Sequence, residues 1–407
     1  MTVFDVEKLR EDFPILQKKI NGKPIVYFDN ACMSLRPRQV VEAIEDYYYN
    51  YPACGSRSVH KLGRMATEKY HESRQTISKF IGAKKDEELI FTRNTTEGIN
   101  LVANSLGLKK GDVVLITDKE HNSNLLPWQI LAERVGITYR VVHFSGDMTF
   151  SMENFEKSMD RSVKLVSMAH TSNLDGYTIP AGDLIKAAHD FGSLVMLDAA
   201  QSVPHKEVDV RKLDVDFLAF SGHKMLGPSG TGALYVKSSL QDRLSPFIVG
   251  GDTVKNTTLT SYELEKPPEK FEAGLQDYAG AIGFAAAARY LERVGRKDIE
   301  KHESKLNMHL TSEMSQFEGL RIIGPSHPEL RGGIISFTVE GIDPHTIAMI
   351  LDENANVMVR SGQHCVHSWF NEFGIPGSVR LSFYLYNTMD EAHIFFDELK
   401  RIITGLR

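Results

Sequence analysis

The chain of 407 residues holds only three cysteines, Cys32, Cys54 and Cys365. That odd, sparse set has no CxxC spacing. It excludes a secreted disulfide framework and a thiolate zinc site, and it fits a reducing compartment. No basic block is present, and the net charge of −6 is spread over both signs. Nucleic acid is therefore not an expected partner. No apolar run approaches the roughly 20 residues of a membrane span. The longest small-apolar run, Ala281–Ala288, is stopped by Arg289. Met1 to Phe13 alternates charged and apolar residues and lacks a signal-peptide core. Internal repeats and low-complexity segments are also missing. These absences predict a soluble cytoplasmic protein with no membrane partner and no metal site.

What is there is an ordinary globular composition, 42% hydrophobic and 25% charged. The core can be large enough to need no disulfide. Strand-like runs are predicted at Leu89–Thr92, Val113–Thr117, Tyr139–Phe144, Leu165–Met168, Leu194–Leu197, Phe217–Phe220 and Ala233–Val236. Helical periodicity separates them, at Pro37–Tyr49, Ala66–Phe80, Glu97–Ser105, Leu125–Arg134 and Ala181–Phe191. Alternation of this kind predicts an α/β fold with a mostly parallel sheet covered by helices. In such sheets ligands bind beyond the carboxyl ends of the strands.

The rhythm changes after about residue 250. Ser261–Lys270, with Pro267–Pro268 and many charges, reads as a loop. Long helices follow near Gly280–Val294 and Asp298–Phe317, then strands at Ile334–Thr338 and Val379–Ser382. Helices are expected at Pro344–Glu353 and Asp390–Ile403. The division expected is a large α/β domain over 26–260 and a smaller α+β domain from 1–25 and 261–407.

Two strand ends carry the most informative pair. The run Leu194–Leu197 ends on Asp198, and Phe217–Phe220 is followed by Ser221–Gly222–His223–Lys224. An acid closing one strand and a lysine just past the next suit pyridoxal phosphate. The lysine forms a Schiff base with its aldehyde, and the acid keeps the pyridine nitrogen protonated. Arg93–Asn94–Thr95–Thr96–Glu97–Gly98 opens a helix after a strand, so backbone N–H groups and hydroxyls there can hold a phosphate. The plainer reading of such a threonine is a helix N-cap. Ser221 and His223 are further phosphate candidates.

His121, after the strand Val113–Thr117, can lie flat on a cofactor ring or be a solvated loop residue. Asn173 and Gln201 can bond a ring oxygen or stabilise turns. Arg360 and Arg380 can grip a substrate carboxylate bidentately, or be surface ion-pair residues of small consequence. In Arg360–Ser361–Gly362–Gln363–His364–Cys365, Gly362 suggests a flexible loop. His364 and His367 flank Cys365, where an imidazolium would favour the thiolate. The alternative is a buried, inert cysteine. Cys32 and Cys54 are assigned to that inert class.

Together these strings resemble the class V branch of fold-type I pyridoxal phosphate enzymes. More narrowly, the chain resembles group II, SUF-type cysteine desulfurases, relatives of selenocysteine lyases. The strings run from Tyr27–Phe28–Asp29–Asn30 through Thr95–Thr96–Glu97–Gly98–Ile99–Asn100, Glu120–His121, Ser172–Asn173 and Asp198–Ala199–Ala200–Gln201. They continue with Ser221–Gly222–His223–Lys224, Phe271–Glu272–Ala273–Gly274 and Arg360–Ser361–Gly362–Gln363–His364–Cys365.

The resemblance implies a large domain with a seven-stranded sheet and a homodimer. It implies that Lys224 carries the cofactor and acts at the substrate α-carbon, Asp198 pairs with the pyridine nitrogen, and His121 stacks on the ring. Gln201 and Asn173 would serve the ring oxygen, and Thr95, Thr96, Ser221 and His223 the phosphate. Arg360, Arg380 and Asn173 would hold the substrate, L-cysteine, and Cys365 would take its sulfur as a persulfide. A sulfur-acceptor protein or iron–sulfur scaffold would then receive it. Selenocysteine lyase or another class V, aminotransferase-type reaction is the alternative; a non-catalytic scaffold would have no use for Lys224, Asp198 and His121 together. The chain departs from the family pattern at Ser56, at Leu275–Gln276 and at Gln363, where histidine, threonine and histidine are common.

Overall fold

Residues 4–406 are described by the computed structural model. Met1–Val3 and Arg407, the ends of the ranges expected for the smaller domain, lie outside them. Seven strands make the main sheet: β1 (Leu89–Thr92), β2 (Val113–Thr117), β3 (Thr138–Val142), β4 (Val163–Ala169), β5 (Leu194–Asp198), β6 (Phe217–Ser221) and β7 (Gly232–Val236). Their spatial order is β1-β7-β6-β5-β4-β2-β3. β7 runs antiparallel to both neighbours, and the other pairings are parallel. The α/β class and the mostly parallel sheet are as the sequence implied.

The central strands bury both faces. Every residue of β2, β6 and β7 is buried, so they read as unbroken apolar runs rather than as alternating ones. Their side chains feed two cores, one on each face of the sheet. Helix Tyr278–Val294 lays its alanine-rich surface on the first of these. Small side chains there let it lie close against helices Arg38–Asn50 and Lys61–Phe80.

A second sheet is antiparallel throughout: β8 (Leu320–Ile323), β9 (Ile334–Val339), β10 (Arg360–Gly362) and β11 (Ser378–Ser382), in the order β8-β9-β11-β10. Helices Arg296–Met314, Pro344–Ala355 and Met389–Leu406 pack over it around a third core. The amino-terminal segment touches both parts. Phe13 sits in the main core, Arg10 pairs with Glu391 at 2.7 Å, and Val26–Tyr27 pairs in parallel with Val357–Met358.

Two expectations are corrected. Ser261–Lys270 is not simply loop: Tyr262–Leu264 pairs with Val254–Thr257 in an exposed hairpin. Its strands are only four and three residues long and mostly exposed, so too few positions bury a face for a period-2 pattern to mark it. The stretch around Gly362 is not a loose loop either. Arg360–Gly362 is a strand, held by three register partners in β11.

Candidate active site

A cavity of about 500 Å³ opens where the carboxyl ends of β4, β5 and β6 meet the edge of the second sheet. Asp198 is the last residue of β5 and is 6% exposed. Its Oδ1 accepts the Ala200 N–H at 3.0 Å. Burial pushes its carboxyl above the ordinary value, and the Lys224 ammonium pulls it back. Lys224 follows β6 on the turn Gly222–Lys224. Burial lowers its ammonium, and Asp198 opposes that shift. Each group thus makes the charged form of the other tolerable in a site of low dielectric. The turn requires Gly222, because a Cβ there would stand 2.3 Å from Thr231 Oγ1.

An anion cradle lies beside this pair. Helix Thr95–Ser105 starts at the cavity, and its N-cap is Asn94, whose Oδ1 accepts the Glu97 N–H at 3.0 Å. The threonines are therefore not the cap. Thr95 Oγ1 and Ser221 Oγ are 2.7 Å apart, as are Thr96 Oγ1 and Ser123 Oγ. Both hydroxyl pairs line the cavity. Gly232 lets this helix start approach, since a Cβ there would meet Asn94 Cα at 2.7 Å. His223 also lines the cavity, and burial, then Lys224 and Arg36, hold its pKa down at about 4.

His121 is the N-cap of helix Asn122–Val135 and accepts the Ser123 N–H on Nδ1 at 3.1 Å. Burial, with Lys224, Arg380 and His367 nearby, lowers its pKa to about 3. The ring is therefore neutral near pH 7 and carries its proton on Nε2. Behind it Glu120 accepts from Thr117 Oγ1 at 2.6 Å, Asn124 Nδ2 at 2.7 Å and Ala169 N at 3.0 Å. Burial raises that carboxyl to about 7.

Gln201 and Asn173 are both buried and both line the cavity. Gln201 Nε2 donates to Ala31 O at 2.7 Å. Asn173 ties the second sheet to the first: its Nδ2 donates to His364 O at 2.7 Å, and its carbonyl accepts from Arg380 Nη1 at 3.0 Å.

Arg380, on β11, is 3% exposed, whereas Arg360, on β10, is 45% exposed. Asp29 stands within 3.6 Å of the first guanidinium and 3.5 Å of the second. Cys365 is exposed on the cavity rim at φ 59°, and its carbonyl accepts the Asn122 N–H at 2.7 Å. His364 is no imidazolium. Burial, then Arg380 and Arg360, drive its pKa to about 2, and its Nε2 faces Ser378 Oγ at 2.8 Å. The expectation that it charges the surroundings of Cys365 is therefore wrong.

All the predicted site residues line this one cavity. Sequence reasoning missed two neighbours. Asp29 was given no role. Cys32, taken as inert, is half-buried in the cavity wall, where Arg360 Nη2 donates to its sulfur. Cys54 is exposed rather than buried. Glu272, in the Phe271–Gly274 string, serves structure: it receives Arg74 at 2.7 and 2.8 Å, Tyr70 Oη at 2.9 Å and Phe91 N at 2.7 Å. Of the departures from the family pattern, Ser56 and Leu275 are both exposed.

The aminotransferase class-V family matches residues 26–395. The chain belongs to that family. Over 406 residues it is 42% identical to a probable cysteine desulfurase of Pyrococcus abyssi, covering 98% of each chain. The apo structure of a cysteine desulfurase from Thermococcus onnurineus NA1 superposes with a TM-score of 0.93 at 42% identity, covering 98% of each chain. A cysteine desulfurase from Escherichia coli, in an S-sulfonic acid form, gives a TM-score of 0.92 at 29% identity, covering all of both chains. The class V cofactor is pyridoxal phosphate, and the cavity fits it. It offers a buried amine, a buried acid, a hydroxyl-lined helix start and a neutral imidazole. Gln201 Oε1 and Arg380 Nε are buried without a hydrogen-bond partner, which suits a polar occupant.

Proposed function

We propose that this class V chain is a cysteine desulfurase, a sulfurtransferase that converts L-cysteine to L-alanine and holds the sulfur on Cys365. The observation that carries the reading is one cavity lined by both the Lys224–Asp198 pair and an exposed cysteine. An aminotransferase needs the first and has no use for the second. The names of the relatives point the same way.

The roles follow from chemistry. Lys224, Asp198, His121, Gln201 and Asn173 would hold the cofactor ring, and Thr95, Thr96, Ser221 and His223 its phosphate. When bound, pyridoxal phosphate supplies an electron sink conjugated to the substrate α-carbon. Lys224, whose neutral amine form is favoured by burial, takes the α-proton and returns a proton to the product. His121, neutral and held by Ser123, offers Nε2–H on the cavity side. Arg380 and Arg360 orient the carboxylate, the first as a desolvated and already directed donor. The Cys365 thiolate attacks the substrate sulfur.

The finer assignments belong to the same proposal. The group II, SUF-type subclass is supported by the motif strings. A cytoplasmic setting is supported by the sparse cysteines. Among the described residues no helix is long and apolar enough to cross a membrane. A homodimer is supported by the resemblance of the motif strings to this family. A sulfur-acceptor protein or iron–sulfur scaffold is the partner the chemistry demands, because a loaded Cys365 must be emptied. The division into domains over 26–260 and over 1–25 with 261–407 is supported by the two separate sheets, with helix Tyr278–Val294 reaching back onto the larger.

The experiment is to mix the pure holoenzyme with L-cysteine and measure alanine and protein-bound sulfane sulfur together. Both should appear. 3-Mercaptopyruvate without bound sulfur would favour an aminotransferase-type reaction.

A further inference from the structure

The proposed reaction uses one cysteine, yet two line the cavity. Cys32 follows Asp29, Asn30 and Ala31 and is half-buried, with its backbone N–H bonded to Asp29 O at 3.2 Å. Its sulfur receives Arg360 Nη2. Cys32, Cys365 and Lys224 line the same cavity. Arg360 is thus a joint: its guanidinium holds one sulfur, and five residues along its own strand and turn the chain reaches the other. At the same place Arg380, 3% exposed, lines the cavity, and its Nε is buried without a hydrogen-bond partner. The corner around Cys32 therefore sets two guanidiniums against the one carboxylate of Asp29, and is net cationic.

A thiol in such a corner is suited to receive an anionic sulfur. We propose that Cys32 is a second sulfur-carrying site, which takes the terminal sulfur of a Cys365 persulfide by thiol exchange. The proposal rests on the desulfurase reading. In the step, the Cys32 thiolate attacks the outer sulfur of Cys365–S–SH. The old S–S bond breaks, Cys365 leaves as a thiolate, and a new S–S bond joins the outer sulfur to Cys32. The proton Cys32 gave up ends on Cys365. One S–S bond is exchanged for another, so no oxidant or reductant is needed. The cavity wall then stores one sulfur while the rim cysteine is free to accept a second. Storage in the cavity also keeps the sulfane sulfur away from adventitious thiols until an acceptor arrives.

The test uses the holoenzyme without an acceptor. After exposure to L-cysteine, the protein is alkylated under native conditions, and the peptides bearing Cys32, Cys54 and Cys365 are read by mass spectrometry. A sulfur adduct is expected on Cys32 and Cys365 and not on exposed Cys54, which is the control for scrambling. Bound sulfane sulfur should fall from about two per protomer to about one in both Cys32→Ala and Cys32→Ser, because exchange needs the second thiol. Cys365→Ala should leave Cys32 unloaded. Sulfur on Cys365 alone overturns the proposal and leaves the desulfurase reading intact. Sulfur on Cys32 in Cys365→Ala, or equally on Cys54, also overturns it. Sulfur on none of the three overturns the reading and this proposal with it.

Discussion

Arg360 and Arg380 stand directly opposite each other in the antiparallel pair β10–β11, two like charges in register. Such a pair is ordinarily destabilising. Asp29, brought in by a bridge to Ser382, lies 3.5 Å from one and 3.6 Å from the other and offsets it. Two guanidiniums sharing one carboxylate keep capacity for another.

Arg380→Ala is accordingly expected to weaken substrate far more than cofactor. Removing one partner of a buried charge pair costs roughly 3–5 kcal/mol, a hundredfold or more in apparent affinity at about 1.4 kcal/mol per tenfold. Arg360→Ala, at a half-exposed position, should cost clearly less. Titration of each holoenzyme with L-cysteine checks this. Equal affinity for wild type and Arg380→Ala would make Arg380 a purely structural residue.

The assignment of Lys224 is testable by chemistry. The pure protein should be yellow, and borohydride should fix the cofactor to the peptide bearing Lys224. A label on another lysine would remove the basis of the site.

Stability should depend on the buried pair Arg74–Glu272, whose side chains are 5% and 4% exposed. Arg74→Ala leaves Glu272 charged and unpaired, at a cost of about 3–5 kcal/mol. Denaturant melts should show that loss. Arg74→Met combined with Glu272→Gln should lose less than Arg74→Ala alone.

A pH dependence follows from His170, which is buried and bonded through Nδ1 to Ser202 Oγ at 3.0 Å. Burial, with Lys206 nearby, lowers its pKa to about 3 from an ordinary 6.5. The folded state therefore prefers the neutral ring. Its stabilising contribution is full above pH 6.5 and is lost as pH falls towards 3. His170→Gln should flatten the stability profile in that window by about one proton, or about 1.4 kcal/mol per pH unit. An unchanged slope would mean that His170 stays solvated and titrates normally.

The central strands of the main sheet were legible because strands buried on both faces must be apolar throughout. β8 and β10 were not. Leu320–Ile323 contains Arg321, and Arg360–Ser361–Gly362 has no apolar residue, so pairing with β11 rather than side-chain pattern makes it a strand. The Lys224–Asp198 pair could be read because Asp198 closes one buried strand and Lys224 stands just past the end of the next. Cys32 could not, since its importance comes from Arg360, 328 positions away. His364 was misread for a related reason. A string shows its nearness to Cys365 but not the burial and the two arginines that keep it neutral.

The central claim is that Cys365, and no other group, removes sulfur from the substrate. Lys224, Asp198 and the anion cradle can bind cofactor and labilise the α-proton, but none accepts sulfur. The decisive measurement is Cys365→Ala holoenzyme mixed with L-cysteine, followed by absorbance, alanine and sulfane sulfur. The account predicts a changed cofactor spectrum, little alanine and no protein-bound sulfane sulfur. Alanine formed at the wild-type rate would contradict it, and would favour a lyase-type reaction that needs no protein thiol.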